Sequence, residues 1–324
     1  MKVRFARVMP LVAVCLLALA APISAQNYPS RPIRVIISVG AGGTGDIITR
    51  AVGEQLHKRL GQPLVIEPRT GGNQTIAGRA CAEAAPDGYT ICVLSGETLS
   101  SNEFVLKKIP YNPEKDFAPI TLMFLNPQAL VVNGSLGVKT LDQLIAYAKA
   151  NPGKLSYLAP SLSHYLFFEY LNKKHGTDFV RIPFRGGGEA VSTMLSGAVQ
   201  VSFFGLANFR QFIENGTMNG LGVDSAERPK TLPQLPTIVE AGYKEPILRQ
   251  YFAVVAPAKT PPEIIDLLHK HIAAVINEPE FRQKQFIERS LEPVANTPAE
   301  FAQYLKDERI VARRVVREFG LEPQ

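Results

Sequence analysis

The sequence predicts an α/β fold built from two lobes, with a mixed, mostly parallel sheet in each lobe. Short apolar runs of strand length alternate with segments of helical spacing along most of the chain. A chain of 324 residues also exceeds what one typical hydrophobic core accommodates. Glycine-rich turns follow several predicted strands, at the edge where parallel α/β sheets bind ligands.

The N-terminus is typical of a secretory signal. Three cations open it and no acid follows before residue 26: Lys2, Arg4 and Arg7. An apolar run from Val8 to Ala21 comes next, too short to cross a bilayer stably, and Ile23-Ser24-Ala25 ends on a small residue. We expect cleavage before Gln26 and export to the periplasm.

The net charge excludes one large class of partner. Loss of residues 1–25 removes three cations and no acids, so the formal charge falls from +6 to +3. This is an ordinary charge for solubility, and no basic run with interleaved aromatics is present. We expect no binding of nucleic acid.

The first half of the chain reads as repeated strand–helix units. The predicted strands are IRVII, PLVIE and YTICVLS, separated by helices over IITRAVGEQLHKRL and residues 75–85. A proline-spaced segment, IPYNPEKDFAPI, then leads into one long apolar strand, ITLMFLNPQALVV.

The second half continues the rhythm and ends in two helices. Helices are predicted over residues 139–150, with Thr140 as N-cap, over 163–173, and from the run GGGEAVSTMLSG. Strands are predicted at LSYLAPS, FVRIPF and VQVSFFG. The last two helices are PPEIIDLLHKHIAAVI and a segment that begins with a capping box of Thr297 and Glu300.

This order divides the chain into a leader and two interleaved lobes. Residues 1–25 form the signal peptide, 26–125 the first part of lobe 1, 126–250 lobe 2, and 251–324 the return to lobe 1. Two crossings join the lobes, near Leu122–Leu130 and near Leu248–Val255, and a hinge there would close over a ligand.

Two cysteines remain after processing, Cys81 and Cys92. They lie on a helix end and the following strand, joined by the turn PDGY. In an oxidising compartment we expect a disulfide; the alternative is two small buried hydrophobes.

The stretch SVGAGGTGD links the first strand to the first helix and spells G-x-G-x-x-G. Glu67 follows about twenty residues later, where a dinucleotide-binding fold places its ribose acid. Asp46, however, would sit close to a bound pyrophosphate. Convergent N–H groups of the turn and helix start instead make an anion seat without a cationic side chain. The alternatives are a dinucleotide-dependent oxidoreductase and a merely tight turn.

The sequence offers no catalytic set. His269 and His271 point to different faces of a helix, no G-x-S-x-G elbow exists, and Ser161, Ser163 and His164 cluster within one turn. We expect no enzyme, no metal and no cofactor.

A collinear series of motifs covers nearly the whole mature chain: YPSRPIRVIISVGAGGTGD, GQPLVIEPRTGGN, AAPDGYTI, IPYNPEKDFAPI, IPFRGGGEA, LSGAVQVSF, LPQLPTIVEAGY, FAVVAPAKTPPEII and PVANTPAEFAQYLKDE. This series resembles the substrate receptors of the tripartite tricarboxylate transporters, the Bug family. The resemblance implies a type II periplasmic-binding-protein fold. It also implies that the protein is a monomer, which binds a small carboxylate and delivers it to membrane permease subunits. A signalling role toward a sensor kinase ectodomain is the alternative.

The resemblance also implies which loops hold the ligand. The first glycine loop and a loop of the opposite lobe would pinch one carboxylate. The candidate residues are Gly40, Ala41, Gly43, Thr44, Asp46, Ser95, Ser161, Ser163, His164, Gly186, Gly187, Phe204 and Gly205. Among nearby polar residues, Glu97 would be out of place beside a carboxylate, so it would face solvent or bind a hydroxyl.

The chain departs from the family pattern in the first glycine loop, in the opposite loop YLAPSLSHYL and at Phe203–Leu206, and the last departure bears most directly on the ligand. Phe203-Phe204-Gly205-Leu206 stands where the family often has F-D-N-L, so an acid facing the distal end of the ligand is replaced. This change disfavours an amino-group contact and favours a ligand with an apolar or aromatic body.

Overall fold

The computed structural model describes residues 28–159, 162–182 and 187–320, and it has two mixed sheets covered by helices. The predicted signal peptide lies outside these residues. The strands are β1 (Ile33–Ile37), β2 (Leu64–Pro68), β3 (Thr90–Ser95), β4 (Phe117–Leu125), β5 (Gln128–Asn133), β6 (Ser156–Leu158), β7 (Val180–Ile182), β8 (Val201–Gly205), β9 (Met218–Val223), β10 (Tyr251–Pro257) and β11 (Glu292–Pro293).

The helices follow the predicted rhythm. They are α1 (Thr44–Leu60), α2 (Thr75–Ala82), α3 (Asn102–Val105), α4 (Leu141–Ala150), α5 (Leu162–His175), α6 (Gly187–Leu195), α7 (Leu206–Glu214), α8 (Pro262–Ile276), α9 (Pro279–Gln285) and α10 (Pro298–Phe319). The predicted caps are confirmed: Thr140 accepts from the Gln143 N–H at the start of α4, and Thr297 with Glu300 forms the capping box of α10. None of the helices within the described ranges is long and apolar enough to cross a membrane.

The first sheet has the order β11-β4-β10-β3-β1-β2. Strand β1 pairs in parallel with β2 and β3, whereas β10 runs antiparallel to both β3 and β4. Alternate residues of β1 explain why helices cover both faces. Ile33, Val35 and Ile37 pack with α1 and α8, and Ile36 packs on the opposite face with α2 and α10.

The second sheet has the order β7-β6-β8-β5-β9. Strand β6 pairs in parallel with β7 and β8, whereas β5 runs antiparallel to β8 and β9. Strand β5 also alternates: Leu130 and Val132 pack against α4 and α5, and Ala129 and Val131 pack against α6 and α7. Each sheet is therefore the centre of its own core.

The predicted long strand ITLMFLNPQALVV is wrong as a single element. It is divided into β4 in the first sheet and β5 in the second, with Asn126 and Pro127 between them. Pro127 has no N–H and therefore cannot extend the ladder of either sheet. The break makes this segment the first crossing between the two sheets.

The second crossing runs from the end of β9 to the start of β10 and is hydrogen-bonded to the first. The Asn126 N–H donates to the Gln250 carbonyl at 2.8 Å, and the Gln128 N–H donates to Asp224 Oδ1 at 2.8 Å. The Asp224 N–H returns a bond to the Gln128 carbonyl at 2.9 Å. The two crossings are therefore held side by side.

Helix α7 and strand β9 are not among the elements that the sequence predicts. Strand β9 has the sequence MNGLGV, and its two glycines weaken any strand signal. Both glycines are required by packing, because a Cβ at Gly220 would lie 2.7 Å from Leu235 Cδ1 and one at Gly222 would lie 2.9 Å from Ile238 Cδ1. Close packing against the segment 224–250 thus requires glycine at these two positions of β9.

The two remaining cysteines are joined. Cys81 of α2 and Cys92 of β3 form a disulfide with both residues fully buried. We predict that denatured protein from the periplasm takes up no alkylating reagent at these two positions unless it is first reduced. The measurement is intact mass with and without reductant, and two alkylated thiols without reductant would contradict the disulfide.

Candidate functional site

A large cleft opens where residues from both sheets meet. Its volume is about 960 Å³, which suits a small molecule. The wall from lobe 1 includes the loop between β1 and α1, the turn at residues 70–74, Glu97 and Phe252. The wall from lobe 2 includes His164 of α5 and Phe204 of β8, and the crossings contribute Asn126, Gln128 and Gln250.

The glycine loop forms one end of the cleft. All residues from Ser38 to Gly45 line it. Helix α1 starts at Thr44, and its N-cap Gly43 has no side chain to accept from the first turn. The backbone N–H groups of Thr44, Gly45 and Asp46 donate to no described residue, because the first intrahelical partner arises only later along the helix. The loop is thus a set of free donors at the positive end of a helix dipole.

The chain reverses at one glycine of the loop. Gly42 has φ +81°, whereas its neighbour Gly43 has φ −73°. The turn therefore needs glycine at Gly42, where a side chain would be strained. A Cβ at Gly43 would meet only the Gly40 carbonyl oxygen, at 3.4 Å.

Asp46 supports the loop from beneath. Its Oδ2 accepts from the Gly42 N–H at 2.9 Å, and its Oδ1 lies 2.8 Å from an Arg50 nitrogen. Burial alone would raise the pKa of Asp46, but the hydrogen bonds from Arg50 and Gly42 outweigh it and hold the pKa below its usual value. Asp46 is therefore an ionised brace for the turn, and it does not itself line the cleft.

Ser95 has a similar supporting place. It is fully buried and its hydroxyl donates to Gln74 Oε1 at 2.6 Å. Asn73 and Gln74, which line the cleft, both have positive φ, at 51° and 69°. Asn102 further ties this strained turn through its amide, which donates to the Asn73 carbonyl at 2.9 Å. Backbone strain of this kind persists only where surrounding contacts impose it.

His164 is one of the polar side chains that lobe 2 contributes to the cleft, with Glu189, Asn208 and Arg210. It is only 4% exposed, and its Nε2 lies 2.9 Å from Gln128 Oε1. Gln128 donates its own amide to the Asn126 carbonyl, so its Oε1 is the acceptor and His164 Nε2 carries the proton. Burial lowers the pKa of His164 to about 4, opposed by the nearby charge of Glu97, so the ring is neutral at pH 7.

Of the other ligand-binding residues expected in lobe 2, some line the cleft and some do not. Phe204 is half-buried, lines the cleft and has its ring centroid 5.5 Å from that of His164. Gly205 lies beside Asn126 and does not line the cleft. Ser161 and Gly186 lie outside the described residues, and of Ser163 and Gly187 only the helical backbone is described.

Several cleft residues carried no sequence signal strong enough to select them. Gln128, Gln250 and Asn126 lie at the crossings, and Phe252 packs on the glycine loop. Glu97 was expected to face solvent or a hydroxyl; it is 3% exposed, which rules out the first alternative. Only its position after a strand end marked it as a candidate.

Asp224, Arg249 and Glu292 form a partly buried group of ionisable side chains near the crossings. Asp224 follows β9 and is buried, which raises its pKa to about 7 although Arg249 and the Gln128 N–H oppose the rise. Arg249 donates to both carboxylate oxygens of Glu292 at 3.0 Å. Within the described ranges, no group of three His, Cys, Asp or Glu residues has the spacing to hold a metal ion.

Glu67, the acid that a dinucleotide site would use, is paired with two neighbouring arginines. Glu67 Oε2 accepts from Arg34 Nε at 2.6 Å, and Glu67 Oε1 forms an ion pair with Arg69. These contacts hold the pKa of Glu67 below its usual value, mainly through the Arg34 hydrogen bond. The local pairing accounts for Glu67 without a ribose.

Gly45 fixes the contact between the loop and strand β10. A Cβ there would lie 2.7 Å from Phe252 Cε1 and 2.9 Å from Val39 Cγ2, whereas a Cβ at Gly40 would have nothing closer than 3.9 Å. We predict that Gly45→Ala lowers the free energy of unfolding by about 1–3 kcal/mol through overpacking. Gly40→Ala, the matched control, should unfold at nearly the wild-type denaturant concentration. Equal midpoints for the two variants would contradict this packing.

Comparison with known proteins gives the chain its family. A family model described as the tripartite tricarboxylate transporter family receptor matches residues 48–321. The protein BugT of Bordetella pertussis is 33% identical over 305 residues, covering 93% of each chain, and a UPF0065 protein of Bordetella bronchiseptica is 34% identical over 322 residues, covering 97% of this chain and 93% of its own.

Solved structures agree in fold. The R. palustris protein Rpa4515 with adipate superposes with a TM-score of 0.84 at 28% identity, covering 92% of this chain and all of its own. The periplasmic binding protein BugD gives 0.83 at 28% identity, with the same coverage. MatC of Rhodopseudomonas palustris with bound malate gives 0.79 at 25% identity, covering 89% of this chain and all of its own. With two mixed sheets meeting at one cleft and a family model matched over most of its length, this chain belongs to the tripartite tricarboxylate transporter receptor family.

Proposed function

We propose that this protein is a periplasmic solute receptor that binds a small carboxylate between its lobes and delivers it to a tripartite tricarboxylate-type permease. The observation that carries the proposal is the glycine loop, whose N–H donors at the start of α1 face a cleft of about 960 Å³. Two similar proteins hold adipate and malate, which are both carboxylates. The family is one of transport receptors, which supports a binding role over catalysis.

The carboxylate seat consists of backbone groups. Gly40, Ala41, Gly43 and Thr44 form its wall, and Asp46 holds the turn through Gly42. The arginines among the described cleft residues, Arg210 and Arg289, lie outside the loop, and Arg50 is paired with Asp46. Charge-assisted hydrogen bonds from fixed N–H donors therefore provide the attraction for the anion.

The opposite wall completes the site. His164 and Phe204 line the cleft from lobe 2. Ser161, Ser163, Gly186 and Gly187 remain predicted contacts from the same lobe, whereas Gly205 does not line the cleft. Phe204 with Phe252 gives the ligand body an apolar surface. Ser95 contributes through Gln74, whose side chain it holds by a hydrogen bond to Oε1.

Two bodies, residues 26–125 with 251–324 and residues 126–250, would move about the paired crossings. The hydrogen bonds from Asn126 to Gln250 and between Gln128 and Asp224 confine the motion to the segments beside them.

The carboxylate contact is tested by removing the charge of the ligand. For the tightest binder in a panel of small carboxylic acids, conversion to the amide should weaken binding about a hundredfold, since hydrogen bonds to a charged group contribute about 1.5–3 kcal/mol each. Gly43→Val should weaken the acid to a similar extent, because the backbone at Gly43 accepts valine and its side chain would fill the seat. Calorimetry measures both, with circular dichroism to show that the variant is folded.

An amide that binds as tightly as its acid, together with a folded Gly43→Val variant that still binds, would place the carboxylate elsewhere in the protein.

Closure about the crossings gives a separate prediction. Small-angle scattering should show a smaller radius of gyration with saturating acid than without it, because the lobes approach over the ligand. An unchanged scattering profile, under conditions where calorimetry shows saturation, would contradict a closing cleft.

A further inference from the structure

Glu97 is a buried acid in the wall of the cleft. It follows β3 and opens a π-helical turn, Glu97–Ser101, with only 3% of its surface exposed. The preceding Gly96 allows the Tyr251 ring to pack directly on this turn, since a Cβ at Gly96 would lie 2.7 Å from Tyr251 Cε1. The turn is therefore fixed against the second crossing, and Glu97 cannot swing out to solvent without breaking this packing.

The carboxylate of Glu97 is only half satisfied. Oε1 accepts a hydrogen bond from Gln250 Nε2, and Oε2 is buried with no partner. Among the described residues, no lysine or arginine forms an ion pair with it, and burial keeps the nearby His164 ring uncharged at pH 7. A buried carboxylate without a counter-charge is costly, and the cost is removed when a donor reaches the empty oxygen.

The lobe 1 wall of the cleft therefore carries two chemically different groups. The glycine loop presents N–H donors without acceptors, whereas Glu97 presents an acceptor without a donor. A ligand with a carboxylate at both ends would bring a second negative charge toward Glu97 in a poorly solvated place. A ligand with a carboxylate at one end and a donor at the other would satisfy both.

Building on the proposed function, we propose that Glu97 determines specificity: it selects carboxylates that carry a second group able to donate a hydrogen bond, a hydroxyl or a protonated nitrogen, and it rejects a second carboxylate. Glu97 touches the ligand and does not act through another residue. The role differs from that of the glycine loop, which would bind either kind of acid.

A structural role for Glu97 is the competing explanation. A small cavity of about 10 Å³, room for one water molecule, lies behind the cleft and is lined by Glu97, Ser100, Arg249 and Glu308. A water there would satisfy Oε2 without any ligand. Selectivity separates the two roles, because a structural defect weakens all acids alike.

The test uses two matched series: succinate, 4-hydroxybutanoate and 4-aminobutanoate, and adipate, 6-hydroxyhexanoate and 6-aminohexanoate. In the series whose chain length fits the cleft, the wild-type protein should bind the hydroxy-substituted or the amino-substituted acid at least about tenfold more tightly than the dicarboxylate. Tighter binding of the amino acid assigns charge pairing to Glu97, and tighter binding of the hydroxy acid assigns a neutral donor. Glu97→Gln should reverse the preference, with the dicarboxylate gaining about tenfold and the donor-bearing acid losing as much.

The control is Glu54→Gln, the same change at an exposed position of α1, which should keep the wild-type ratio. A dicarboxylate bound by wild type as tightly as its hydroxy and amino counterparts would overturn the role of Glu97 while leaving the carboxylate seat intact. A Glu97→Gln variant that weakens every acid by one common factor would overturn it as well and indicate the structural role. If none of the six acids binds to any of the three proteins, the proposed function itself is contradicted.

Discussion

The unsatisfied N–H groups at the start of α1 are the constraint on which the site depends. An α-helix leaves its first donors without intrahelical partners, and here the N-cap is a glycine with no side chain to receive them. The surrounding contacts leave these N–H groups without a capping side chain. Asp46 holds the Gly42 N–H, Phe252 packs against Gly45, and Arg50 neutralises Asp46, so no neighbouring side chain caps the helix. The fold thus preserves a seat that only an external acceptor completes.

The paired crossings place the opposite chemistry beside this seat. Gln250 and Gln128 each use one group to join the crossings and another to orient a cleft residue, Glu97 for the first and His164 for the second. Residues that we propose to contact the ligand are therefore hydrogen-bonded to the segments that would bend on closure. Binding and lobe movement share the same side chains, which gives a physical route by which an occupied cleft favours one arrangement of the lobes.

The sequence predicts the fold well because its strands and helices carry strong local signals. The alternation in IRVII, the capping box at Thr297 and the glycine turn after β1 each specify an element without tertiary information. Strand β9 was not predicted, because its glycines at 220 and 222 are required by packing against Leu235 and Ile238, and the local sequence does not show these contacts. The run ITLMFLNPQALVV is apolar throughout, so hydrophobicity alone does not reveal that Pro127 sends its halves to different sheets.

The site was predicted less completely, for a related reason. The glycine loop is contiguous and can be found by motif, whereas Gln128, Gln250 and Glu97 are far apart in sequence and meet only at the crossings. The motif also does not specify which of its glycines turns the chain, a role that the structure gives to Gly42 with its positive φ.

The central claim, that the helix start seats a carboxylate, is tested most directly by nuclear magnetic resonance of the ¹⁵N-labelled protein. During titration with an acid that the protein binds, the amide protons of Thr44 and Gly45 should move downfield, because each lines the cleft and gains a charged acceptor that it lacks in the free protein. Movement confined to amides elsewhere, with these two unchanged at saturation, would contradict the account.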